Sequence, residues 1–227
     1  WADQGLGYMY DWYVDTNEIP GRTLLRLSTA APNIGSGPME LRGGTVNPDD
    51  TQDVDQRIYD NQGGYTNRFA GVFIHHESHG HIHFEGFAQF NLREVIGSNG
   101  VGAVTAQGEK VSFCLLDVKA YDLGLPGAPF IRQYQTCEQI QGISVGWADV
   151  YDASLPDQWI DITGVPDDQY WVEVIIDPDD NMLEENETNN VERILIDLET
   201  GCATDTFETN NSFTTASALG QLGDRAE

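Results

Sequence analysis

The sequence predicts an all-β protein: a sandwich-like core of short antiparallel strands, long irregular loops and little helix. Three observations predict it. Short runs rich in β-branched and aromatic residues recur along the chain. Gly and Pro, 24 and 9 residues respectively, stand between those runs as turn punctuation. Amphipathic patterns at the three- and four-residue spacing of a helix are scarce.

The strands follow in order. Residues 23–29 (Thr-Leu-Leu-Arg-Leu-Ser-Thr) form the first apolar, β-branched run, and 38–42 the second, opened by Pro38. Residues 56–59 and 68–74 flank Asn61-Gln62-Gly63-Gly64, a hairpin turn by composition. Residues 79–90 begin with alternating histidines and run on to Phe90. Residues 111–117, 159–163, 170–177 and 190–197 complete the set, each bounded by Gly, Pro, Asp or Asn. Residues 47–54 and 121–129 are expected as loops.

A chain of 227 residues suits one large domain, expected over residues 1–200. Residues 201–227 turn rich in Thr, Ser, Asn and Ala, which reads as a linker or the cut start of another module. The start at Trp1, without a methionine or an apolar leader, reads as a processed or trimmed product.

Charge excludes several functions. Asp and Glu number 37 against 11 Lys and Arg, a formal net charge of −26. Binding nucleic acid or anionic lipid requires clustered cations, so neither is expected as a partner. No apolar run approaches the roughly 20 residues that span a bilayer, so membrane insertion is not expected either. Only two of the cations are lysines, Lys110 and Lys119. High Asp with low Lys resembles the surfaces of halophilic proteins, where salt screens repulsion.

All five histidines lie between His75 and His83. In an extended chain His79, His81 and His83 share one face, and Gly80 lets the backbone bend them towards a common centre. Three imidazoles on one face bind a metal and leave positions open; spacing alone leaves copper and zinc undecided. His75 and His76 read as surface histidines. Cys114, Cys137 and Cys202 form no CxxC pair, which speaks against a thiolate zinc site and permits one disulfide with a thiol left over. On residues alone, a zinc hydrolase or hydratase and a secreted, metal-stabilised β-sandwich binding module both stay open.

Three segments together resemble the catalytic domain of lysyl oxidases. His79-Gly80-His81-Ile82-His83 looks like the family's His-x-His-x-His copper site. Gly108-Glu109-Lys110-Val111-Ser112-Phe113-Cys114 is similar to the segment with the lysine of its quinone cofactor. Gln141-Gly142-Ile143-Ser144, Asp149-Val150-Tyr151 and Gln158-Trp159-Ile160-Asp161-Ile162-Thr163 resemble the segment with the cofactor tyrosine, at Tyr151. The likeness covers roughly residues 20–198.

The resemblance implies a secreted copper amine oxidase whose lysine tyrosylquinone is made from Lys110 and Tyr151. Copper with oxygen oxidises the phenol ring, and the lysine amine adds to the electrophilic ring. The quinone condenses with a primary amine, a protein lysine or a small lysine-like amine, and takes the electrons of α-proton loss. Aldehyde, ammonia and hydrogen peroxide leave. Asp149, two residues before Tyr151 and on its side if the segment is extended, is the candidate base. Cys114 and Cys137 are expected to pair, which leaves Cys202 outside the pair. Glu184, Asn186, Asn189 and Asn190 match a calcium segment of some members, with Asn186 where Asp is common, and Asn186-Glu187-Thr188 is also a glycosylation sequon. The chain departs from the animal enzymes at Ser78, where a cysteine would stand, and at Gln89, where another histidine would.

Overall fold

The computed structural model describes residues 8–76, 80–198 and 202–203. Among them there is no helix, and fifteen strands build three antiparallel sheets. The first sheet joins β1 (Tyr8–Asp15), β2 (Leu24–Pro32), β11 (Trp147–Tyr151) and β9 (Lys119–Ala120), with β12 (Trp159–Asp161) also on β2. The second runs β10 (Ile140–Ile143), β3 (Met39–Val46), β4 (Gln52–Tyr59), β5 (Tyr65–His76) and β6 (His81–Phe84). The third runs β15 (Cys202–Ala203), β14 (Val191–Asp197), β13 (Gln169–Ile176), β7 (Ala88–Ile96) and β8 (Gly100–Gln107). The all-β class holds.

The sheets share one apolar core. Leu25 and Leu27 of the first sheet, Leu41 and Phe73 of the second, and Phe90 and Val172 of the third all belong to it. β2 is buried at all nine positions, because β1, β11 and β12 cover it and the core lies behind it. β4 instead alternates: Gln52, Val54 and Gln56 point inward between half-buried Asp53 and Asp55, the period-two signature of a strand with one wet face.

Several expected boundaries change. The hairpin at residues 60–64 is present: Asp60 Oδ1 accepts the amides of Gln62 and Gly64 at 2.8 Å, and Gly63 takes φ +82°. The expected loop 47–54 is shorter, since β4 begins at Gln52. The single strand expected over 79–90 is two, β6 and β7, parted at Gly86 with φ +75°. Residues 111–117 do not form a strand. Apart from one bridge between Phe113 and Phe84, no ladder forms: the Cys114 amide bonds to the Tyr151 hydroxyl, that of Leu115 to Gln141 Oε1 and that of Asp117 to the Tyr134 carbonyl. Of residues 201–227, only Cys202 and Ala203 are described, and their pairing with β14 carries the third sheet past residue 200. The rest of that expected linker lies outside the described residues.

Buried Arg26 secures the loop after β11. Its guanidinium donates to the carbonyls of Ala153 and Leu155, pairs with Glu18, and lies over the Trp159 ring at 5.0 Å. Asp157, in the turn beyond, is thereby held at the edge of the site described next.

Candidate metal and amine site

The β5–β6 hairpin places the histidines. Register pairs His76 with His81 and Ile74 with His83, so all three imidazoles rise from one face. Gly80, at φ +70°, turns the chain, and its amide bonds to the His76 carbonyl at 2.8 Å. The His81 and His83 ring centroids are 4.9 Å apart, and those of His76 and His83 4.7 Å. His83 is fully buried, with Nδ1 3.4 Å from the Ser112 hydroxyl. His79 lies outside the described residues.

His76 was expected as a surface residue. The structure instead sets it half-buried on His83, with Nε2 4.0 Å from Asp157. Its place depends on the register across the hairpin, which alternation within the strand does not encode. Burial and the nearby Lys110 amine keep its pKa below the usual histidine range. His75 is exposed on the opposite face.

Lys110 and Tyr151, 41 positions apart, meet behind this face. Lys110 is 4 % exposed, and its Nζ has no hydrogen-bond partner. The amine sits 5.6 Å from the Tyr151 ring centroid and 5.1 Å from that of Phe113. Burial pushes its pKa down, and Asp157 and Asp149 offset this in part. Tyr151 stands edge-on to Phe113 at 4.7 Å. Its hydroxyl donates to the Cys114 carbonyl at 2.9 Å and accepts from the Cys114 amide at 2.7 Å. Burial, and after it the charge of Asp149, hold the phenol well above its usual pKa.

Asp149 lies two positions before Tyr151 on β11 and is 2 % exposed, with no hydrogen bond to either carboxyl oxygen. Burial therefore raises its pKa well above the usual value, and the amides of Leu116 and Val150 offset only part of the rise. A void of about 10 Å³ between Asp149, Tyr151, Phe87 and Phe113 is barely the size of one water.

Two openings reach the site. A cavity of about 290 Å³ is lined by Lys110, His76, Ser112, Glu85, Glu109 and Asp157. Glu85 was not foreseen; burial raises its pKa, and its Oε2 has no hydrogen-bond partner. On the other side a cleft of about 990 Å³ borders His81, Gln52, Tyr134 and Cys137.

Cys114 and Cys137 are disulfide-bonded, with Cα atoms 5.5 Å apart across 23 positions. Replacing Cys137 by Ser should cost roughly 3 kcal/mol, as expected for a loop of this length. Denaturant unfolding with and without the bond measures the loss, and the denatured, unreduced wild-type protein should show one free thiol.

Of the calcium candidates, Glu184 and Asn190 are buried together, with Asn190 Nδ2 donating to Glu184 Oε1 at 3.0 Å. Asn190 Oδ1 is buried without a hydrogen-bond partner. Asn189 is half-buried, while exposed Asn186 spends its carbonyl on the amide and hydroxyl of Thr188.

The lysyl oxidase family model matches residues 65–206, a span holding the histidine hairpin, Lys110, Asp149 and Tyr151. Lysyl oxidase homolog 1 of Homo sapiens is 35% identical over 128 residues, covering 56% of this chain and 21% of that protein. Lysyl oxidase homolog 2 of Gallus gallus is 36% identical over 123 residues, covering 53% and 14%. Protein-lysine 6-oxidase of Gallus gallus is 36% identical over 91 residues, covering 40% and 19%. The chain thus spans about a fifth or less of each of these relatives. With more than half of its length matched by the family model, the chain belongs to the lysyl oxidase family.

Proposed function

We propose that the chain carries a secreted amine oxidase site that deaminates primary amines oxidatively, a peptidyl lysine or a lysine-like amine, to aldehydes with O2. The observation that carries this reading is the Lys110 amine, buried without a hydrogen-bond partner and facing the Tyr151 ring at 5.6 Å. Burying a cation without partners is costly. The cost is understandable where the amine is to bond the ring it faces. The donor set also fits copper: imidazoles gathered on one strand face. His81 and His83, with His79, would hold the metal.

Copper and a Lys110–Tyr151 quinone would supply oxygen activation and an electron sink. The chain's own residues do the rest. The Cys114 amide and carbonyl hold the Tyr151 hydroxyl in place. Glu85, Glu109 and Asp157 make the wall of the 290 Å³ cavity acidic, which attracts a protonated amine. Asp149, made more basic by burial, takes the proton from the carbon next to the substrate nitrogen. The disulfide accords with an oxidising compartment.

Copper-loaded protein should be coloured, should react with phenylhydrazine, and should yield on digestion one branched peptide joining the Lys110 and Tyr151 segments. Active enzyme giving two separate peptides overturns the reading. A colourless protein that gains hydrolase activity with zinc supports the zinc alternative.

Calcium is proposed at Glu184 and Asn190 with Asn186 and Asn189, supported by the orphaned Asn190 Oδ1. Chelation should then lower the melting temperature, and an unchanged value removes the site. Stability should also rise with salt. At a net charge of −26, repulsion acts over a Debye length of about 8 Å at physiological ionic strength but only about 3 Å near 1 M. A melting temperature that stays flat or falls between 0.1 and 2 M sodium chloride would refute the halophilic surface.

A further inference from the structure

We infer that reduction of the Cys114–Cys137 disulfide opens a second metal site, in which His81 and the two thiolates bind one thiophilic cation such as Cu(I) or Zn2+. A ring nitrogen of His81 and the two sulfurs already lie within 4.8 Å of one another. In the oxidised protein the sulfurs are bonded to each other and are not ligands.

The three residues do not depend on the disulfide for their proximity. Buried Gln141 ties their neighbours together: its Nε2 donates to the carbonyls of Ile82 and Glu138 at 3.0 and 3.2 Å, and its Oε1 accepts the Leu115 amide at 3.1 Å. Ile82, Leu115 and Glu138 are the residues next to His81, Cys114 and Cys137. The Phe84–Phe113 bridge adds a second tie between the β6 strand and the Cys114 segment. Reduction therefore leaves two thiols and an imidazole facing one point.

The chemistry fits a soft cation. Thiolate with imidazole is a ligand set for Zn2+ and, softer still, for Cu(I). Two thiolates on one zinc, at about 2.3 Å each, stand about 3.8 Å apart. Cα atoms 5.5 Å apart reach that spacing by side-chain rotation alone. Cys114 is 2 % exposed, but His81 and Cys137 border the 990 Å³ cleft, through which a cation and a fourth, water ligand can enter.

The step balances. A trialkylphosphine and one water reduce the disulfide to two thiols, the phosphine leaving as its oxide; each thiol then gives up its proton on binding metal. Re-oxidation by dioxygen, which takes two electrons from the two thiolates and two protons from water to leave as hydrogen peroxide, remakes the disulfide and releases the cation. His81 is shared with the histidine face, so the two sites compete for one imidazole.

The test uses the full chain with Cys202→Ser, so that only this pair supplies thiolate. Reduced anaerobically with a trialkylphosphine and titrated with Co2+ or Cd2+, it should bind one equivalent at least about tenfold tighter than the oxidised protein. A sulfur-to-metal charge-transfer band should accompany binding. Cys114→Ser/Cys137→Ser, folded by circular dichroism, should lose the band. His81→Ala should keep it and bind about tenfold more weakly. Three results overturn the site: no band in the reduced protein, affinity unchanged by His81→Ala, or loss of β-sheet signal on reduction. None of these readouts involves amine oxidation, so failure here and failure of the oxidase reading are separable.

Discussion

Lys110→Met should yield a colourless protein with no measurable amine oxidation, since the cofactor's amine is gone, and a precursor more stable than the wild-type precursor. Both follow from one observation. The Lys110 amine is buried beside two aromatic rings without a hydrogen-bond partner, and a buried donor left unsatisfied costs about 1–3 kcal/mol. Met fills a similar volume without that cost. The metal-free precursor should also carry a pH signature. With the folded pKa of Lys110 below its ordinary 10.5, the unfolded chain binds more protons between the two values, so stability rises with pH across that window. The Met variant should lack this rise. Urea unfolding of both precursors across alkaline pH, paired with an amine oxidation assay after copper loading, checks the two halves. Full activity in the Met variant would remove Lys110 from the cofactor.

The limits of the sequence are physical. The strands at 56–59 and 170–176 were legible because each alternates or runs apolar against a core, whereas the first residues of β4, Gln52–Val54, were expected in a loop. β8 was missed: its Gly, Ala and Thr side chains lie largely exposed on an edge strand and carry little hydrophobic signal. β11 was missed because it is buried between β2 and β9 with an aspartate at its centre. Residues 111–117 erred the other way, since an apolar run shows burial but not whether its amides meet a ladder or side chains. At the site, His81 and His83 could be read from alternation within one strand. The approach of Lys110 to Tyr151 could not, because it needs β11 docked on β2 and the Cys114 segment docked on Tyr151; there only the family resemblance pointed to it. His76 needed a hairpin register.

Asp149→Asn should lower kcat by roughly 10²- to 10⁴-fold, the usual worth of a positioned general base, while copper content and the branched peptide persist. KM should change little, because the amide keeps the shape of the carboxyl and the acidic cavity wall at Glu85, Glu109 and Asp157 is untouched. Stability supplies the second readout. Burial raises the Asp149 pKa well above 3.8, so the folded state binds more protons than the unfolded chain between the two values. The sign is then opposite to that of Lys110: stability falls as pH climbs from about 3.8 through the folded pKa. In the Asn variant this fall should vanish, leaving it more resistant to unfolding than wild type at neutral pH. The rate profile should lose its acidic limb in the same variant, because that limb reports ionisation of the base. A kcat within threefold of wild type, with the limb retained, would show that another group takes the proton and that Asp149 only sets the charge around Tyr151.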